Sequence, residues 1–279
     1  MIQRIVAVYF SPTRTTQTVT TALTQQLAET QGCPYEEIDI TTPAQRRAVL
    51  QFSETDLVVF GAPVYIGRMP NLISPYFKTL CGHGAWAVPV AVYGNRAYDD
   101  GLIELRDILE EDGFRLIAAG AFVGEHTFSR ILGAGRPDHK DLECIREFAT
   151  GIAQHLSLLA NRLVGKLNVP GTPYPYAGFY PATDQQQKRI DIRKALPQTD
   201  ASKCNRCGLC ATLCAMEAID PNDCSQIIGK CIKCGACLKR CPQGAKYFDD
   251  PQYLSHLQLL EEKFSSRRCE PELFYCDIE

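Results

Sequence analysis

The sequence predicts an α/β protein, in which a doubly wound parallel sheet is followed by a small cysteine-rich domain. Three observations support this division. Apolar, strand-like runs alternate with amphipathic helical patterns up to about residue 165. A stretch rich in proline and tyrosine follows, over residues 166–200. Eight of the fourteen cysteines then form two runs with the same spacing, from Cys204 to Cys214 and from Cys231 to Cys241.

Five strands are expected in the first 165 residues. Residues 5–8 form a continuous apolar run, as expected for a strand that is covered on both faces. Similar runs predict further strands over residues 35–40, 57–60, 87–93 and 116–123. The carboxyl ends of parallel strands share one edge of a doubly wound sheet, and ligands bind at that edge.

Apolar residues at helical spacing predict a helix after each strand. The first helix has Val19, Leu23 and Leu27 on one stripe. Further helices are expected over residues 43–50 and 72–80. The last two are defined by Leu102, Leu105 and Leu109, and by Leu142, Ile145, Ala149, Ile152, Leu156 and Leu163.

Three loops at the predicted carboxyl ends of the strands have unusual compositions. Residues 11–16, with the sequence SPTRTT, offer hydroxyls and free backbone amides at a helix N-terminus, where phosphate binds readily. The alternative is an ordinary helix cap, with Ser11 at the N-cap and Pro12 at the first helical position. Residues 61–70 and 93–100 supply small residues for close backbone approach and tyrosines that could cover a flat ring.

In this order, the three loops resemble those of flavodoxins, over roughly residues 1–165. The resemblance implies a five-stranded sheet of order 2-1-3-4-5 and a bound FMN, with its phosphate in the first loop. Arg14 stands where the family has glycine, so it could bind the phosphate or disfavour the turn. The implied FMN-binding residues are Ser11, Thr13, Arg14, Thr15, Thr16, Pro63, Val64, Tyr65, Gly94, Asn95, Arg96 and Tyr98.

The two cysteine runs are an internal duplication with an offset of 27 positions. Each run has the form C-x-x-C-x-x-C-x-x-x-C, and four thiolates per unit match one [4Fe–4S] cluster. In this motif the fourth cysteine ligates the other cluster. The predicted ligand sets are therefore Cys204, Cys207, Cys210 and Cys241 for one cluster, and Cys231, Cys234, Cys237 and Cys214 for the other.

Zinc and disulfides are the competing explanations for these cysteines. Structural zinc sites use two spaced cysteine pairs, and disulfides need an oxidising compartment. The runs resemble a bacterial two-cluster ferredoxin, which implies a small α+β domain over residues 201–249. Ala215 departs from that family, which has proline after the fourth cysteine. In the remainder, residues 250–279, Tyr253, Leu254 and Leu257 indicate a helix, whereas Cys269 and Cys276 fit no metal motif.

Composition and charge limit the partners and the cellular compartment that the sequence predicts. The net charge of −3 argues against nucleic acid as a partner, and no apolar run is long enough to span a bilayer. Residues 2–10 read as a strand, without the cationic leader or cleavage site of a signal peptide. Together with the many thiols, this predicts a cytoplasmic protein of an organism or condition low in oxygen. The prolines of residues 166–200 predict an extended linker whose aromatic residues pack between the domains.

Both halves together resemble flavodoxin–ferredoxin fusion proteins of anaerobes. The first hypothesis is an electron-transfer protein that passes electrons between a redox partner, two [4Fe–4S] clusters and FMN. The second is an FMN-dependent reductase of a small molecule such as a quinone or nitro compound. His126, just past the fifth strand, could be its proton donor or a surface loop histidine. A third is a redox sensor, which no DNA-binding motif supports.

Overall fold

The computed structural model describes residues 2–159, 162 and 164–278. Its central parallel strands are β1 (Arg4–Tyr9), β2 (Tyr35–Asp39), β3 (Asp56–Pro63), β4 (Trp86–Tyr93), the short β5 (Arg115–Leu116) and β6 (Ala118–Val123). The order across the sheet is β2-β1-β3-β4-β6, while β5 pairs only with β4. This is the doubly wound order expected from the sequence, because β5 and β6 together form the predicted fifth strand. The predicted fold class is confirmed.

Helices cover both faces of this sheet, because their apolar stripes pack against its buried strands. They are α1 (Thr15–Gln31), α2 (Ser74–Phe77), α3 (Gly101–Glu111) and α4 (His139–Leu159). Val19, Leu23 and Leu27 of α1 are fully buried, as the helical spacing predicts. Leu163, the last apolar position of the predicted α4 stripe, lies outside the described residues.

The prediction of a helix over residues 43–50 is wrong. This segment forms only turns. The guanidinium of Arg46 donates to the backbone carbonyls of Ile40, Thr41 and Ala215, which fixes the segment against β2 and the cysteine-rich domain. The helix expected over residues 72–80 is also shorter, since only the four residues of α2 are helical.

The C-terminal tail belongs to the first domain's sheet, which the sequence did not suggest. Strand β10 (Glu272–Ile278) runs antiparallel beside β6, and β7 (Val164–Leu167) pairs antiparallel with β10. The ring of Tyr275 packs against Phe148 of α4, with 5.7 Å between ring centroids. Strand β10 therefore covers the β6 edge, which would otherwise be exposed for pairing with another chain.

The linker lies along the first domain in a fixed path. The carboxylate of buried Asp100 accepts hydrogen bonds from the backbone N–H groups of Thr172 and Ala177, each at 2.8 Å. The guanidinium of Arg96 stacks over the ring of Tyr180, 4.0 Å from its centroid. Backbone and cation–π contacts thus hold the segment at several points along its length.

The cysteine-rich domain repeats itself in structure as well as in sequence. Helix α5 (Leu209–Thr212) and helix α6 (Ala236–Lys239) occupy equivalent places in the two runs. Strands β8 (Gln198–Thr199) and β9 (Lys246–Tyr247) form a small antiparallel sheet. Helix α7 (Pro251–Phe264) follows, and the Asp250 side chain caps it by accepting from Tyr253 N–H at 2.8 Å. None of the helices in the described part of the chain is long and apolar enough to cross a membrane.

Candidate functional site: a cleft between the two domains

A cleft of about 840 Å³ lies where the carboxyl ends of the sheet strands face the cysteine-rich domain. One wall comes from the three loops singled out in the sequence, together with the loop after β6. The other wall comes from the linker, α7 and the start of the second cysteine run. The volume is within the range of ~300–1,000 Å³ that is typical of small-molecule and cofactor sites.

The first loop presents hydroxyl groups and backbone donors to the cleft. Helix α1 begins at Thr15, with Arg14 at the N-cap position in the left-handed conformation (φ 71°), so the alternative in which the helix starts at Pro12 is wrong. The Ser11 hydroxyl still accepts from the N–H of Gln17, in the first turn of α1, at 2.8 Å. Thr13, Thr15 and Thr16 line the cleft, and their backbone N–H groups bond to no acceptor among the described residues. Unsatisfied donors at a helix N-terminus suit an anion.

Eight of the twelve residues expected to bind FMN lie on the cleft wall. These are Thr13, Thr15, Thr16, Pro63, Val64, Tyr65, Gly94 and Arg96. The other four do not line the cleft. They are Ser11, Arg14, Asn95 and Tyr98.

Asn95 and Tyr98 have structural partners instead. The Asn95 amide donates to the carbonyls of Phe264 and Arg267, both at 2.9 Å, and thereby holds the segment that leads into β10. The Tyr98 hydroxyl donates to Glu272 of β10 at 2.7 Å, and its ring packs edge-on against Tyr93. Both side chains anchor the tail, and their contact with a flavin stays a prediction.

His126 faces the cleft, so the surface-loop interpretation is wrong. Its Nδ1 accepts from the backbone N–H of Phe128 at 3.1 Å, which leaves the ring proton on Nε2 of the neutral imidazole. Burial, followed by the charge of Lys239, lowers the pKa of His126 to about 3. The imidazole is therefore uncharged at neutral pH, and any proton it supplies comes from neutral Nε2–H.

The eight motif cysteines line two small cavities, in the sets that the sequence predicts. One cavity is lined by Cys214, Cys231, Cys234 and Cys237, and the other by Cys204, Cys207, Cys210 and Cys241. A ninth thiol, from Cys224, also lines the second cavity. Within the described residues, no three His, Cys, Asp or Glu side chains converge closely enough for a single metal ion. The thiols surround a space instead of meeting at a point.

Backbone geometry repeats around the two cavities. Ala218 N–H donates to Cys214 Sγ at 3.2 Å, and the equivalent Ala245 N–H donates to Cys241 Sγ at 3.4 Å. Left-handed residues also recur at the 27-residue offset, for example Gly208 (φ 74°) and Gly235 (φ 73°) at the starts of α5 and α6. N–H groups aimed at sulfur stabilise thiolate, which is the form that binds iron.

The cavity of the second run adjoins the cleft. Cys231, the first cysteine of that run, lines both. Tyr65 lines the cleft, and burial, followed by the charges of the Cys234 and Cys231 thiolates, raises its pKa well above the ordinary range. A Cβ atom on Gly235 would lie 3.0 Å from the Thr127 carbonyl oxygen, so the second run lies close against the loop after β6.

Lys239 of α6 fixes this contact. Its ammonium donates to the Glu125 carboxylate and to the carbonyls of His126 and Ser129, the last two at 2.6 Å. The side chain is 10% exposed, so these bonds form largely out of water. The second run is thereby tied to the loop that forms one wall of the cleft.

Several cleft residues were not predicted from the sequence. Thr127 and Phe128 follow the fifth strand, so the rule that ligands bind at strand ends could have found them. The linker and cluster-loop residues depend on how the domains dock, which no local pattern encodes. They include Phe179, Tyr180, Pro181, Ile190, Ile192, Arg193, Gly229, Lys230, Ile232 and Lys233.

Comparison with known proteins supports the assignment of the second cysteine run. Residues 227–247 match the family model described as 4Fe-4S binding domain, which indicates at least one [4Fe–4S] site in the chain. No curated protein matches the chain.

Solved structures with similarity to the first domain include flavodoxins. One, from the domain Archaea, is 13% identical, with a TM-score of 0.40, covering 56% of this chain and 99% of that one. The Megasphaera elsdenii flavodoxin is 17% identical (TM-score 0.36; 54% and 98% covered). An apo NADH:FMN oxidoreductase is also 17% identical (TM-score 0.39; 55% and 89% covered). The sheet order β2-β1-β3-β4-β6, and not these similarities, defines the fold of the first domain.

Proposed function

We propose that the chain is an electron-transfer protein that holds FMN in the interdomain cleft and a [4Fe–4S] cluster in each cysteine cavity. When bound, the clusters would supply one-electron steps and the flavin two-electron chemistry, so the chain would connect a one-electron partner to a two-electron acceptor or donor. The observation that carries the proposal is the shared wall: the Cys231 segment lines both the FMN cleft and a cluster cavity.

The donor set of each cavity fits a cluster. Each cavity is lined by its four motif cysteines, with Cys224 as an additional thiol in the second, and among the described residues neither lining contains His, Asp or Glu. This matches the thiolate ligation of [4Fe–4S] clusters. Burial disfavours the thiolate form, since it raises the pKa of Cys234 to about 12. A cationic iron core would supply the charge that makes thiolates favourable there.

The residues on the cleft wall also fit FMN. The unpaired N–H groups and hydroxyls of Thr13, Thr15 and Thr16 would hold the phosphate at the start of α1. Tyr65 and Gly94 would lie against the isoalloxazine, and Gly94 leaves no space on its other side, since an added Cβ would be 2.4 Å from His126. Arg14 is exposed and off this wall, so we assign it no contact with the phosphate.

The two cavities have different surroundings, which suggests the order in which electrons would pass through the two clusters. The cavity with Cys231 adjoins the cleft, and Cys234 belongs to the same apolar core as the sheet. The cavity with Cys204 is lined only by residues 199–246, and Cys207 on its rim is exposed. We therefore assign the Cys204 side to contact with an external redox partner.

The fourteen free thiols also favour a reducing, cytoplasmic setting.

Reduction of a small molecule is the second candidate function. It is favoured by the cleft itself, which extends past the flavin loops to a wall of linker residues including Phe179, Ile190 and Ile192. A flat acceptor such as a quinone could lie there, with His126 Nε2–H as a hydrogen-bond donor. Steady turnover of a quinone or nitro compound by the purified protein would favour this candidate over a pure carrier.

Anaerobic purification with flavin and metal analysis tests the proposal. We expect about one FMN and about eight iron atoms per chain, from two four-iron clusters. Apo-protein should regain the flavin spectrum on addition of FMN, whereas riboflavin, which lacks the phosphate, should bind more weakly. Zinc in place of iron, or a folded chain without affinity for FMN, would contradict it.

A further inference from the structure

Lys246 is a buried ammonium group at the cysteine cavities that no site described so far uses. It lies in β9, and only 6% of its surface is exposed. Its side chain donates to the backbone carbonyl of Cys224, which also accepts from the Thr199 hydroxyl at 3.4 Å. No carboxylate in the described part of the chain forms an ion pair with it.

A buried charge without a partner is costly. Lysine is almost never fully buried unless it is paired, because removing an ammonium ion from water costs several kcal/mol. One neutral carbonyl offsets only part of that penalty. Lys239, in the same domain, is paired in the usual way, because its ammonium donates to one carboxylate and two backbone carbonyls. A negative charge that is present only in the loaded protein would account for Lys246.

Lys246 lies close to both sets of cluster-binding cysteines. It lines the cavity of Cys204, Cys207, Cys210 and Cys241. Its strand, β9, also contacts α6, the short helix that carries Cys237 of the other set. One buried cation thus lies beside both ligand sets.

We propose that Lys246 is a positioning residue for electron transfer, a fixed counter-charge that stabilises the reduced form of both clusters. This inference rests on the proposed function, because it requires the two clusters. Each cluster gains one negative charge when it takes up one electron, with no atom transferred. A cation held in a medium of low dielectric favours that form, and so raises the reduction potential.

The test is a redox titration of the anaerobic full-length holoprotein, followed by electron paramagnetic resonance, with iron measured in every sample. Lys246→Gln keeps a hydrogen-bond donor and loses the charge, whereas Lys246→Arg keeps the charge. At a fixed solution potential, we expect the Gln variant to have an about tenfold lower ratio of reduced to oxidised cluster at both sites, equivalent to about 59 mV per one-electron couple. The Arg variant should remain close to the wild type.

Lys203→Gln is the matched control. It removes an equal charge one residue from Cys204, but that side chain is 60% exposed and pairs with Asp200, so water screens it. Wild-type potentials in Lys246→Gln with full iron, or a shift at only one cluster, would overturn the inference. Iron loss in the Gln variant alone would support a charge requirement, whereas iron loss in the Arg variant as well would overturn it. Absence of clusters from the wild type would instead refute the proposed function.

Discussion

Replacing Lys239 by methionine should loosen the contact between the cluster domain and the cleft. The ammonium satisfies three acceptors, on Glu125, His126 and Ser129, and methionine keeps the apolar stem while removing all three bonds. Breaking a buried ion pair on one side costs about 3–5 kcal/mol. Because the Glu125 side chain is 27% exposed, water can solvate its unpaired carboxylate and offset part of this cost. We therefore expect the free energy of unfolding to fall by about 2–4 kcal/mol.

Urea unfolding of the holoprotein measures this loss, with iron content matched between variants. Lys239→Arg is the control for charge, and Glu125→Gln completes a double-mutant cycle that isolates the coupling between the two side chains. Limited proteolysis should cut Lys239→Met faster within residues 125–131, because the loop loses its anchor. A loss below about 0.5 kcal/mol, with unchanged proteolysis, would refute the reasoning, since that is the range of ordinary surface substitutions.

Three further predictions concern titration, ligand exchange and backbone strain. Burial, and next the Glu111 charge, raise the pKa of Asp112 to about 7, so folding penalises its charged form increasingly as pH rises from about 4 to 7. Asp112→Asn should therefore stabilise the protein by about 1–2 kcal/mol at pH 8 and by less at pH 5.5 in urea unfolding, and equal gains would contradict this. Cys241→Ala should damage the cluster of Cys204, Cys207 and Cys210 and spare the other. Site-resolved spectroscopy that showed the reverse would overturn the swapped assignment. Arg14→Gly should raise the thermal midpoint by relieving about 1 kcal/mol of left-handed strain at φ 71°, without weakening FMN binding; lower FMN affinity by calorimetry would mean that Arg14 holds the phosphate.

The strand pattern and the cysteine spacing were readable from the sequence because each is local. A continuous apolar run such as that of β1 is typical of a strand buried on both faces, and the alternation of such runs with helical patterns predicts the doubly wound sheet. Thiol spacing also has a local cause. Tight turns through residues such as Gly208 and Gly235 turn successive sulfurs toward one cavity.

The structure departs from the sequence predictions at residues whose partners are distant in the chain. Arg46 lies in the supposed helix of residues 43–50, yet its acceptors include the carbonyl of Ala215, which is 169 residues away. Tyr98 and Asn95 looked like flavin contacts because they follow β4, but their partners lie in the C-terminal tail. Nothing local distinguishes a tyrosine that covers a ring from one that anchors a strand.

The docking of the domains is the least predictable part of the site. The linker composition suggested a fixed geometry, although it could not show that Cys231 would share a wall with the loops of the first domain. That contact depends on the fit of Gly235 beside Thr127 and on the bonds of Lys239. Each is evident only once both domains are folded.

The central claim is that flavin and clusters exchange electrons within one molecule. The most direct test is anaerobic photoreduction of the clusters, with flavin absorbance followed over a dilution series of the holoprotein. Because the Cys231 cavity adjoins the cleft, we expect a rate that is independent of protein concentration. A rate that increases in proportion to concentration would mean transfer between molecules, and the shared wall would then have no part in it.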